Sequence, residues 1–251
     1  RCPKSGFLDV GMPGSCTTLM IAMAIASSRI VELLLKNGTN PYVTEINGNN
    51  PLMYACAGNR VDNVKFWLKQ FPDWDLQARN SVVGGCALGI TVFMGPNRLA
   101  LTKLLLESGA NIIAYNDTGG FCLTDACSNE DCDPNVVRFL LNYCSDNVNT
   151  QIRARTLKWK LVRFVAKTAV RIFKTSNGLF RSIAIDDGST ALHYATMRGD
   201  TEIVELLLSK GSDPYLKNGL GLNVSAMCIT FPELREIFKK YKQKRTTKFN
   251  K

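Results

Sequence analysis

The stretch from Ile30 to Tyr42 returns from Ile203 to Tyr215, and nine of the thirteen positions are identical. A chain that repeats itself is built from stacked units, none of which buries its apolar face alone. The period between the two copies follows from a recurring leucine. Leu19, Leu52, Leu88, Leu123, Leu157 and Leu192 are separated by 33, 36, 35, 34 and 35 residues. Ala22, Ala55, Ala126 and Ala195 stand three residues after four of them, with Thr91 and Lys160 in that place after the other two.

Each unit reads as helix, turn, helix, glycine and extended loop. In the last clear unit, Thr190 is positioned to N-cap a helix through its hydroxyl. Gly199 closes that helix. Ile203, Val204, Leu206, Leu207 and Leu208 then recur at helical spacing. Gly211 falls just past the second helix, where a left-handed backbone costs glycine little, and Gly38 and Gly109 hold the same place earlier.

The run Gly188-Ser-Thr-Ala-Leu-His-Tyr-Ala195, followed by a glycine, an apolar helix and a closing glycine, resembles the ankyrin repeat of about 33 residues. The resemblance implies an all-α solenoid of helix-turn-helix units with hairpin fingers. Repeats 1–4 are assigned to 15–149 and repeat 5 to 186–218. The segment 1–14 is expected to be the remnant of a preceding unit or an N-terminal cap. Residues 219–241, with Asn223, Val224 and Ser225 where Thr, Pro and Leu are expected, read as a degenerate C-terminal cap before a basic tail at 239–251. The segment 150–185 is either an inserted basic helix or a degenerate repeat. Leu157 divides the gap evenly and Gly178 follows it at the offset of Gly109 from Leu88, yet no glycine or proline separates two helices there.

The net charge of +10 belongs to two elements. Segment 150–185 holds nine basic residues and no acid, and the tail holds seven and no acid; the remainder carries 15 basic against 21 acidic residues. At 100° per residue, Lys160, Arg163, Lys167, Arg171 and Lys174 share a stripe about 80° wide, with Leu161, Val162, Val165, Ile172 and Phe173 facing away. The expected arrangement buries the apolar face on the repeats and exposes the cations. A basic amphipathic helix of this kind also suits an anionic membrane surface or a calmodulin-like groove, here over 152–175. Nucleic acid is not expected as a partner, because no recognised motif accompanies the charge.

The nine cysteines form no Cys-x-x-Cys pair. Several, such as Cys56 and Cys127, occupy small core slots, as reduced intracellular thiols do, so an intracellular location, cytoplasmic or nuclear, is expected. Cys122, Cys127, Cys132 and Cys144 do not make a convincing zinc set, since the first two fall on opposite sides of one expected helix with no histidine near. The chain begins at Arg1 without an initiator methionine, which suggests a mature form or a fragment.

No catalytic constellation emerges, and neither metal nor cofactor is expected. His193, the single histidine, stands at the motif's histidine and is expected to bridge Thr190 and a neighbouring loop. The resemblance implies instead a monomeric, non-catalytic scaffold that binds a protein in its concave groove and through its fingers. By register, the finger positions are Ile46, Asn47, Asn49, Val82, Val83, Asp117, Thr118, Asp186, Asp187 and Ser189. The exposed ends of first helices are Ala57, Ser128, Asn129, Met197 and Arg198. Trp74, in a Phe-Pro-Asp-Trp stretch that replaces the usual glycine cap, is read as an exposed aromatic anchor.

Overall fold

The computed structural model describes residues 16–175, 177–228 and 231–249, with side chains as far as position 243. The segment 1–14, Lys251 and the side chains of Lys244, Arg245 and Lys248 lie outside the described residues. Among those described, the regular structure is helical throughout, and the chain divides into two compact units, Arg1–Asn116 and Asp117–Lys251.

The first unit holds three helix pairs: α1 (Thr18–Ile25) with α2 (Ser28–Lys36), α3 (Pro51–Ala57) with α4 (Val61–Gln70), and α5 (Ala87–Phe93) with α6 (Leu99–Glu107). First helices pack on first helices and second on second, giving two layers. The periodic residues explain this stacking. Leu19, Leu52 and Leu88 are fully buried between adjacent first helices, and Ala22 and Ala55 leave room for the close approach. Thr91 fits the alanine slot because its hydroxyl donates to the Ala87 carbonyl at 2.9 Å and so leaves no polar group unmet. Starts are capped locally: the side chains of Thr17 and Asn50 accept from the Met20 and Met53 amides.

The second unit contains α7 (Cys122–Ser128), α8 (Pro134–Cys144), α9 (Leu157–Arg171), α10 (Gly178–Asp186), α11 (Ala191–Arg198), α12 (Thr201–Ser209), α13 (Val224–Met227) and α14 (Pro232–Phe249). Here α7 packs directly on α11 and α8 on α12, while α9 packs on α10. The stack then continues from α11 to α13 and from α12 to α14. The degenerate cap is therefore a helix pair, and its second helix extends into the basic tail as far as Phe249, anchored by buried Leu234 and Phe238.

The segment 150–185 stands outside the stacking of α7 on α11 and α8 on α12, and the backbone shows where it enters. In the first finger the Glu45 amide donates to Asn49 O and the Gly48 amide to Glu45 O. The same pair of bonds recurs as Ile152 N–H to Ser189 O and Gly188 N–H to Ile152 O, both at 2.8 Å. The bonded residues Glu45 and Gly48 are three apart, whereas Ile152 and Gly188 are 36 apart, so the helical hairpin replaces a finger tip and adds 33 residues. That length equals one repeat. The even spacing of Leu157 between Leu123 and Leu192 is thus a coincidence of length, and Leu157 itself is 82% exposed.

Candidate partner-binding surface

The fingers of the first unit are joined by side chains that the sequence reading placed at their tips. Buried Glu45 accepts from the Asn47 and Asn49 amides and from the Asn49 side chain. The Asn49 side-chain carbonyl in turn accepts from Asn80 at 3.1 Å, and Asn47 O accepts the Ser81 amide at 2.7 Å. Asn49 therefore links two fingers rather than presenting its amide to a partner. Asn47 is half-buried, as are Val83, Asp117 and Thr118. Ile46, 70% exposed, and Val82 project from the tips.

At the ends of the first helices, Ile25, Phe93 and Met94 are exposed in the first unit and Met197 in the second. Ala57, Ser128 and Asn129 are half-buried. Trp74 is also half-buried, contrary to its expected role. It stacks under Tyr42 at 5.6 Å and meets the buried Trp67 edge-on at 4.9 Å, with Phe71 completing the cluster. Tyr42 is the exposed aromatic, and with Phe71, Trp74, Asp73 and Asp75 it lines a recess of about 540 Å3.

The expected finger set Asp186, Asp187 and Ser189 does not form a tip, because the inserted hairpin occupies that place. Asp186 lies in α10 and accepts from the Tyr194 hydroxyl at 2.9 Å; burial raises its carboxyl above the usual range, only partly offset by that bond. Ser189 is buried and donates to Ile185 O. Asp187 is buried against three cations: Lys167 at 2.7 Å, Arg163 at 3.3 Å and Arg153 at 3.8 Å. Burial alone would raise its carboxyl, but the Lys167 hydrogen bond and the charges of Lys167, Arg163 and Arg153 hold it below the usual range.

The cationic stripe is split: Arg163 and Lys167 turn inward, opposite to expectation, whereas Lys160, Arg171 and Lys174 are exposed as expected. Arg163 is 4% exposed, Lys167 is half-buried, and Arg171 donates to Gly219 O at 2.6 Å. Of the five expected surface cations, Lys160, Arg171 and Lys174 are exposed, Arg171 with its guanidinium on Gly219 O. The apolar residues at the opposite side of α9 face solvent.

Arg198 is likewise spent internally, on the carbonyls of Cys127 and Asn129 and on Asp200. This belongs to a recurring device that the sequence reading missed. Arg60 donates to Ala26 O, and Arg98 to Cys56 O and Ala57 O, so an arginine between two helices satisfies the last carbonyls of the preceding unit's first helix. Basic residues at offsets of 8, 10 and 6 from the period leucines carried no visible period, because the turns between helices differ in length.

His193 caps α11 with Thr190: Nδ1 accepts the Thr190 amide at 3.1 Å and lies 2.9 Å from its hydroxyl. The neutral ring therefore carries its proton on Nε2, and burial holds the imidazole below its ordinary value. The eight described cysteines are free thiols, and burial pushes Cys56 up to about 12. No cluster of three metal-ligating side chains occurs among the described residues, and none of their helices is long and apolar enough to cross a membrane.

Comparison with known proteins agrees with this architecture. A family model described as ankyrin repeats, in three copies, matches residues 8–80 and 95–218. The ankyrin repeat and KH domain-containing protein mask-1 of Caenorhabditis elegans is 24% identical over 238 residues, covering 82% of this chain and 9% of the relative. The BRCA1-associated RING domain protein 1 of the same organism is 32% identical over 95 residues, covering 38% of this chain and 14% of the relative. The chain thus spans a small part of either relative. Among solved structures, the ankyrin repeat domain of Bcl-3, a member of the IkappaB family, aligns with a TM-score of 0.58 at 25% identity, covering 84% of this chain and 77% of that one. A chain of the Bdellovibrio bacteriovorus endopeptidase Bd0816 in complex with immunity protein Bd3460 aligns with a TM-score of 0.60 at 22% identity, covering 85% and 91%, and shows the fold alone.

Proposed function

The chain belongs to the ankyrin-repeat family, and from that premise we propose that it is a non-catalytic scaffold that holds a protein partner against the first-helix layer and fingers of its first unit. Ankyrin repeats are in general protein–protein interaction modules. The observation that carries the reading is the placement of exposed apolar side chains: Ile25, Phe93 and Met94 end the first helices, and Ile46 and Val82 end the adjoining fingers. Such residues on a rigid, capped framework are suited to anchoring a partner without much ordering cost. Asn47 adds a polar contact in the first unit, and in the second unit, taken by itself, Met197, Asp117 and Thr118 hold the equivalent positions. The free thiols support an intracellular setting.

A photo-crosslinking residue placed at position 25, 46 or 93, and separately at second-helix positions 69 or 107, tests the assignment. The same partner is expected to crosslink from the first three positions and not from the last two. Crosslinking confined to 69 and 107 would sink the reading.

A further inference from the structure

The inserted hairpin is inside-out. A helix with the composition of α9 would ordinarily bury its leucines and expose its lysines. Here Arg163 and Lys167 are drawn to Asp187, Arg171 reaches Gly219 O, and the small side chains of Ala166 and Ala184 fill the buried face. Leu157, Leu161, Phe164 and Ile172 are left within about 80° of one another on the opposite side. They are all exposed, as are Phe173 (75% exposed) beyond the end of α9 and Leu179 at the start of α10.

Charge borders this ridge on both edges. At 100° per residue Lys158 falls on one flank and Lys160 and Arg171 on the other, while Lys174 and Arg181 stand beside the turn, all exposed. Positions 150–185 hold no acid, and the two aspartates that follow are occupied by Tyr194 and by the cation cluster.

We propose that the hairpin α9–α10 is a peripheral anchor that lays this ridge into the interface of a bilayer rich in anionic lipid. Three observations favour a lipid surface. Exposed apolar side chains recur along a helix roughly 22 Å long, from Leu157 to Ile172 and Phe173, and again at Leu179. Its flanking lysines and arginines are placed to extend to phosphates while their stems lie on the apolar boundary. The absence of exposed acid on the hairpin removes the repulsion that an anionic surface would otherwise meet. The buried Asp187 cluster explains how the ridge stays outward: it anchors the polar side of α9 and so prevents the apolar side from collapsing onto the repeats. The contact is peripheral, as no described helix can span a membrane. The inference is independent of the partner surface proposed for the first unit.

The full chain is tested by co-sedimentation with vesicles of phosphatidylcholine alone and of phosphatidylcholine with phosphatidylserine. It is expected to sediment only with the second. Phe164→Ser with Phe173→Ser should lower that binding on the order of tenfold at unchanged net charge. Lys158→Gln with Lys160→Gln and Lys174→Gln should do so by a similar factor, and raised salt should act as the lysine variant does. Circular dichroism is expected to be unchanged in both, since every substituted residue is exposed. Absence of sedimentation by the wild-type chain overturns the proposal, as does a phenylalanine variant that sediments like wild type. Binding of the ridge by calmodulin without vesicle binding, or a dimer in vesicle-free solution that the phenylalanine variant abolishes, assigns it to another occupant and overturns it equally.

Discussion

The guanidinium of Arg163 lies 3.3 Å from the carboxylate of Asp187, with the two side chains 5% and 11% exposed. One residue is on the inserted hairpin and the other is next to the finger glycine Gly188, so the pair, with Lys167 beside it, ties the inner side of α9 to the finger.

Removing one member of that pair leaves a buried charge unmatched. Asp187→Asn is expected to cost about 3 kcal/mol in the second unit. The double change Arg163→Met with Asp187→Leu should cost less than the sum of its parts, because no fully buried charge is left uncompensated; Lys167 and Arg153 remain, but both reach solvent. Hydrogen exchange of the amides from 157 to 186, compared with those of α11 and α12, locates the loss. Equal acceleration in all three elements would show that the pair does not act on the hairpin.

Stability should fall with pH on account of His193. Its folded-state value lies below its unfolded one of about 6.5, so the unfolded chain takes up the proton first. The contribution is fully present above about pH 6.5 and is lost as pH drops toward the folded value. Asp186, raised by burial, acts in the opposite sense, gaining stability as it protonates. The discriminating quantity is therefore the difference between wild type and His193→Gln in urea midpoint, at about pH 7.5 and about pH 5.5. That difference should shrink at the lower pH.

Two glycines with the same backbone angle should respond differently to alanine. Gly211 has φ +89° and open space around its missing Cβ, so Gly211→Ala should cost about 1 kcal/mol for the left-handed backbone. Gly119 has φ +90°, but a Cβ there would stand 2.0 Å from the Arg153 carbonyl oxygen at the base of the insertion. Gly119→Ala should cost at least about 2 kcal/mol more, from displacement of rigid backbone. Urea titration of each variant measures the gap.

Arg198→Met should destabilise by about 2 kcal/mol, since it orphans the carbonyls of Cys127 and Asn129 and strips Asp200 of its partner. Arg198→Lys should not restore the loss, because one guanidinium nitrogen reaches the two carbonyls while the other reaches Asp200, and a single ammonium does not span both. Chemical denaturation of the three proteins, wild type included, provides the comparison, and full rescue by lysine would show that charge alone suffices.

Much of the scaffold was legible because repetition is a local signal. The leucine at each period, the alanine or threonine three residues on and the left-handed glycines act within or between neighbouring helices. Leu157 apart, each met the environment that its sequence implied, as Leu192, Ala195 and Gly211 show. The arginine bonds between units were not legible, because their donors sit in turns of unequal length.

By itself, the sequence determined the family, the helical class and the register of the repeats, since spacing and residue type repeat whatever the chain packs against. Tertiary structure alone decided that 150–185 interrupts a finger, that Asp187 and Ser189 are interior, and that α9 turns Arg163 and Lys167 inward. The physical reason is that helical periodicity defines two faces without ranking them. An amphipathic stretch buries its apolar side by default, and only the position of Asp187, brought close by the finger bonds of Ile152 with Gly188 and Ser189, reverses the choice.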